Sequence, residues 1–317
     1  MLVSRLLRTL RPRRGMIEIG LLAAVAGSAA GQVSPVAPYP SLGMTSMALA
    51  NNRIYYTTGV FAQEFCTAYK QVFSVSTTGT PGAALLDSTA PGGCSELWTN
   101  IVPNGAFIYT AMGHGVQRVF ALGGQPTETV VPSTTITPLS FAADQFRIYV
   151  ESPDDVLTAY PVGGGAPVGT INVPGLVGQG SQNFMAPGDG WVYFIANGNI
   201  FKWNGTSGST VPLETSATTA NIIWVDSTDV WWVGAAGGVQ TIGRIPVGGG
   251  ANAVRHTTLA GTDIYAMVGD DTNIYFMADP PGGGLDVIRR LPRNSTAATD
   301  VNDISNNLRI LCQDGQF

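Results

Sequence analysis

The sequence predicts an all-β fold, a β-propeller of six four-stranded blades, on three observations. Charged residues are sparse while Gly and Pro are many. One short grammar of apolar run, gap, apolar run and turn recurs six times. Within that grammar residues 161–166 and 246–251 are the same hexapeptide, PVGGGA.

Charged residues make up 12% of the 317 residues, against roughly 25% in an average soluble domain. The chain has 40 glycines and 20 prolines, and its lysines are Lys70 and Lys202. Low charge with many turn-formers and many Thr, Val and Ile favours strands over helices. Hydrophobic residues reach 44%, enough for a large core and too many for general disorder.

The repeat fixes the elements in order. Six β-branched and aromatic runs place an aromatic at Tyr55, Tyr109, Tyr149, Tyr193, Trp231 and Tyr275, roughly 42 residues apart. Each is followed by a second apolar run, QVFSV, QRVFAL, VLTAYPV, IFKW, IGRIPV and VIRRLP in turn. After these come TTGTPG, GGQP, GGGAP, NGTSG, GGGAN and RNST. Short strands at such a period form one twisted sheet per repeat. That sheet is apolar on both faces, and only radial packing against its neighbours buries both. The Gly-rich turns join the third and fourth strands, where tight hairpins need positive φ. Asp and Asn before the aromatic runs make the turn between the first and second strands. The repeat aromatics are then core or inter-blade packing. A pair of β-sandwiches would not space six such runs so regularly.

The units IYYTT…VFSVSTTGTPGAALL and VWWVG…IGRIPVGGGANAV resemble the repeats of bacterial exported six-bladed propellers of the TolB-like and YWTD-like kind. The resemblance spans residues 45–300. It implies the fold and a range of roles: receptor modules, protein-interaction scaffolds, lactonases and lyases. The second Trp and the Asp of a full YWTD signature are mostly absent.

The ends set the boundaries. Five arginines within the first fourteen residues precede the apolar stretch 19–30, which closes on small residues. This reads as a signal peptide over 1–31, too short to span a bilayer. A Pro-rich segment, 32–44, follows, then the propeller over 45–317. The expected location is periplasmic or extracellular. Cleavage removes five arginines and Glu18, so the formal net charge moves from −5 to −9. An acidic mature surface argues against a nucleic-acid partner, and no second apolar run is long enough for a membrane span. At the other end NNLRILCQDGQF, 306–317, reads as a strand that clasps the six-bladed ring, a surplus strand, or the start of a truncated seventh blade.

Three cysteines occur, Cys66, Cys94 and Cys312. In an exported chain two are expected to pair. Cys66 lies in an insertion between the second and third strands of the first unit, and Cys94 between the first and second units. Both connections leave one face of the ring, termed the upper face, so Cys66–Cys94 is the expected disulfide; free thiols are the alternative.

Chemistry is thin. The histidines are His114, in an upper-face loop, and His256, placed after the last strand of the fifth unit. No His-x-His, His-Glu-x-x-His, Cys-x-x-Cys or Gly-x-Ser-x-Gly occurs, which removes the sequence support for zinc and serine-nucleophile sites. Upper-face acids are the mild signal. Glu151, Asp154 and Asp155 could contribute oxygens to Ca²⁺, against an ordinary reading as solvated loop charge; Asp279 and Asp286 are further upper-face acids. Glu96, Trp98 and His114 are the other upper-face binding candidates. Trp98 and Trp224 fall near inner strands, where an indole could face the channel or pack. The sequons at Asn204 and Asn294 read as turns, as does Asp270-Asp271 on the opposite face.

The function expected is a non-catalytic exported scaffold that binds a protein or small ligand at the upper face, with no assigned cofactor. The alternative is a metal-assisted lactonase or lyase at the channel mouth.

Overall fold

The computed structural model describes residues 43–50, 53–59, 70–76, 81–88, 101–111, 115–123, 125–132, 140–176, 185–214, 219–279, 281 and 287–303. The expected signal peptide, most of the Pro-rich segment and the 306–317 strand lie outside these. Six four-stranded antiparallel sheets are present among the described residues. The first holds β1 (Gly43–Ala50), β2 (Arg53–Gly59), β3 (Lys70–Ser76) and β4 (Pro81–Ser88). The second holds β5 (Ile101–Asn104), β6 (Phe107–Ala111), β7 (Val116–Phe120) and β8 (Glu128–Val131). The third holds β9 (Ser140–Ala143), β10 (Arg147–Ser152), β11 (Val156–Pro161) and β12 (Gly169–Asn172). The fourth holds β13 (Met185–Gly188), β14 (Trp191–Ala196), β15 (Asn199–Trp203) and β16 (Val211–Glu214). The fifth holds β17 (Thr219–Val225), β18 (Asp229–Ala236), β19 (Val239–Pro246) and β20 (Ala253–Thr257). The sixth holds β21 (Asp263–Gly269), β22 (Asn273–Asp279), β23 (Val287–Pro292) and β24 (Thr299–Asp303).

Within each sheet the strands lie in chain order, and the first strands touch in succession: β1 on β5, β5 on β9, β9 on β13, β13 on β17, β17 on β21. Every repeat aromatic falls on a second strand, as the grammar requires. Tyr55, Tyr109, Tyr149, Tyr193 and Trp231 are buried, while Tyr275 is half-buried. Apolar clusters join the first sheet to the second, the second to the third, the third to the fourth and fifth, and the fifth to the sixth. For the second to fifth sheets two-faced burial is therefore met by neighbours, as expected.

The turns follow their chemistry. In the two PVGGGA segments Gly164 and Gly165 have φ of 85° and 118°, and Gly249 and Gly250 have 89° and 140°. The amides of Gly164 and Gly249 donate to Pro161 and Pro246 carbonyls at 2.9 and 2.8 Å. The repeated hexapeptide is thus the same third-to-fourth-strand turn, two sheets apart, and only Gly holds these angles without strain. Asp144, Asp226 and Asp270 each close a first-to-second-strand turn, their Oδ1 accepting two backbone amides at 2.7–2.9 Å. Both sequons lie in third-to-fourth-strand turns; Asn204 Oδ1 accepts the amides of Thr206 and Ser207.

Candidate functional site

The antiparallel order sends the second-to-third-strand and sheet-to-sheet connections to the upper face. The lower-face turns between first and second strands are two or three residues long. The longest connections, 60–69, 89–100 and 173–184, all belong to the upper face.

Cys66, Cys94, Glu96, Trp98, His114 and Cys312 lie outside the described residues, as does Asp286. Of the acids, Asp154 is exposed in the turn between β10 and β11, and Asp155 beside it is half-buried with φ of 58°. Asp155 acts as a fastener: its Oδ2 accepts the Gly175 amide at 3.1 Å and its carbonyl accepts the Val173 amide at 2.8 Å. Among the described residues no group of three or more His, Cys, Asp or Glu is placed to hold a metal ion.

Glu151 differs from the loop charge expected of it. It is on β10, opposite Ser140 and Leu157, and only 1% exposed. Its Oε2 has no hydrogen-bond partner among the described residues. Burial, helped by the negative charge of Asp155, pushes its carboxyl up to about 8. Two residues past the repeat aromatic, the other sheets carry Thr57, Ala111, Ile195, Val233 and Met277; all but Thr57 are shown buried. A carboxyl therefore stands where the repeat packs apolar side chains. Desolvating it without a partner is costly, which marks Glu151 as a break with the repeat.

Other candidates resolve into packing. His256 lies within β20 rather than after it. Its ring sits 5.7 Å from Phe276 and its Nδ1 is 3.1 Å from the Thr296 carbonyl. Trp224 is buried against the sixth sheet, close over Gly269, and so packs between sheets. Asp279 lies across β21 and β22 from Asp263; Asp263 was not singled out by the sequence, since nothing marks its strand end.

A second feature was also missed. At the outer rim of the third and fourth sheets a groove of about 400 Å³ runs between β12 and β15. Asn172, Asn197, Asn199, Phe201 and Thr210 line it. The signal was the ANGN stretch at 196–199, which reads simply as a hairpin turn.

No family model matches the chain, and no curated protein does. Solved structures do. A chain of the mitotic checkpoint complex aligns with a TM-score of 0.55 at 14% identity, over 85% of this chain and 82% of that one. YCF48 from Cyanidioschyzon merolae gives 0.53 at 13% identity, over 81% and 84%. BamB from Moraxella catarrhalis gives 0.51 at 15%, over 87% and 79%. The chain is a β-propeller. At such identities the likeness carries fold and nothing about function. The four-stranded sheets are its blades, and among the described residues no helix is long and apolar enough to cross a membrane.

Proposed function

We propose that the protein is an exported propeller that binds a partner through its upper face, without chemistry of its own. The observation that carries this reading is the asymmetry of the connections. Lower-face turns between first and second strands are short, and three of them are closed by aspartates. Connections 60–69, 89–100 and 173–184 all arise on the upper face. A rigid frame with its long connections gathered on one side is how folds present recognition loops. The signal peptide over 1–31 and a Cys66–Cys94 bridge between two of those connections belong to the same proposal: export supplies the oxidising setting in which the bridge forms.

The test is photo-crosslinking in intact cells of the source organism. A photoreactive residue replaces Asp154, exposed on the upper face, or Asp271, exposed on the lower. The expected result is one discrete adduct from position 154 and none from 271. Adducts from 271 alone, or from neither, overturn the reading.

One observation favours an enzyme instead. A carboxyl held near 8, as Glu151 is, suits a proton donor or acceptor at neutral pH. The lactonase or lyase reading would require turnover of a model γ-lactone by the wild type and its loss in Glu151→Gln.

A further inference from the structure

The groove at the rim of blades three and four has the build of a ligand site. Its volume of about 400 Å³ falls in the range of small-molecule sites, roughly 300–1,000 Å³. None of its lining residues carries a charge, so an ionic ligand would find no counter-charge there. The walls offer amide, hydroxyl and aromatic surface beside the aliphatic Ile171, Val173, Pro174 and Ala196. An amide presents donors and an acceptor side by side, which matches the paired hydroxyls of a sugar ring. An aromatic face covers the apolar C–H side of such a ring.

The walls are held in place before any ligand arrives. Asn197 donates from Nδ2 to the Pro174 carbonyl at 2.8 Å, and its backbone amide donates to the Gly175 carbonyl at 2.8 Å. Asn199 donates from Nδ2 to the Asn197 carbonyl at 3.2 Å. Phe201 is backed by Phe194, ring centroids 5.9 Å apart and nearly parallel. Fixed walls lower the ordering cost of binding. Asn172, on the edge strand β12, is exposed and Thr210 is half-buried; both line the groove.

The fourth blade also departs from its neighbour here. The hairpin after its second strand reads Asn197-Gly198-Asn199, where the fifth blade has Gly237-Gly238-Val239. Asn197-Gly198, with φ of 49° and 73°, is the Asn-Gly pair that a two-residue hairpin favours. Val is a better strand opener than Asn, so Asn199 alone stands where local preference does not favour it.

We infer that this groove is a binding site for a small neutral saccharide of one or two rings. The site is at the rim and does not rest on the upper-face reading, which can fail while this one stands. The test is titration calorimetry of the exported chain with cellobiose, maltose and N,N′-diacetylchitobiose, and with glucuronic acid as a charged control. One of the neutral disaccharides is expected to bind with one site per chain, and glucuronic acid not to. Asn172→Ala with Thr210→Val, both at the solvent side, are expected to weaken it roughly tenfold together with an unchanged thermal midpoint. No heat from any of the three neutral sugars at millimolar concentration overturns the inference. So does binding that the double variant leaves intact.

Discussion

Glu151 is the residue at which the repeat and the physics disagree most. Its carboxyl ordinarily titrates near 4.5 and stands near 8 in the folded chain, because burial and Asp155 both oppose ionisation. The folded state therefore holds a proton that the unfolded chain gives up more readily. Stability from this group is full below about pH 4.5 and is lost as pH rises through about 8. Wild-type unfolding free energy, measured by urea titration between about pH 5 and pH 9, should fall across that window by a few kcal/mol at most. Glu151→Gln should flatten the slope and be the more stable protein at the alkaline end. An equal slope in both proteins would place the pH dependence elsewhere. Asp270, on the lower face, behaves oppositely. Burial alone would raise Asp270, but hydrogen bonds from Thr272 and Asn273 hold it below its ordinary range, as befits a turn-closing carboxylate. Sequence could identify only the second case. An Asp before an aromatic run reads as a turn from its own neighbours, whereas the burial of Glu151 depends on a sheet that packs beside it.

Between elements, the repeated hexapeptide has a second role beyond its turn. In the second blade Arg118, opposite the repeat aromatic Tyr109, lies 4.4 Å from the Phe107 ring. Its Nη1 donates to the Val162 carbonyl of the third blade at 3.0 Å. In the fourth blade Lys202, opposite Tyr193, lies 4.8 Å from the Trp191 ring and donates to the Val247 carbonyl of the fifth at 2.7 Å. Val162 and Val247 are the valines of the two PVGGGA segments. Each is the landing point of a cation from the preceding blade. At the fifth-to-sixth seam the valine position is Arg293, and the fastening runs backward: Arg293 reaches Asp226 and lies 5.6 Å from Trp231. At the third-to-fourth seam Ala159 replaces the cation, and Gly205 closes on it so tightly that an added Cβ would stand 3.0 Å from the Ala159 methyl. Lys202→Met and Arg118→Met should each cost about 1–2 kcal/mol in urea unfolding, a charged hydrogen bond and a cation–π contact being lost. The two seams share no residue, so the double variant should show the sum within about 0.5 kcal/mol. A clear departure from additivity would mean that strain passes between seams. The period, the turn residues and the buried aromatics were legible because each is written locally. The latches were not, because donor and acceptor lie 44 and 45 residues apart and belong to different repeats.

At the scale of the whole molecule, shared apolar clusters tie each blade to the next from the first to the sixth. The outward faces of the first and sixth blades are the ones for which no such cluster appears among the described residues. A blade is apolar on both faces, and an open arc would leave two large apolar surfaces in water, which promotes association. Closure of the sixth blade onto the first removes both. Arg290, opposite Tyr275 in the sixth blade, stands where Arg118 and Lys202 stand but is exposed, so among the described residues it makes no latch of their kind. A closed ring of this size has a radius of gyration of about 18 Å. Small-angle scattering of residues 32–317 should give a monomer close to that value, slightly enlarged by the Pro-rich segment. An extended particle or a concentration-dependent dimer would show the arc to be open. The same measurement on a chain lacking 306–317 then tests whether that strand clasps the ring or is surplus to it. An unchanged monomer makes it dispensable to a six-bladed ring. Swelling or association makes it the strand through which the sixth blade clasps the first.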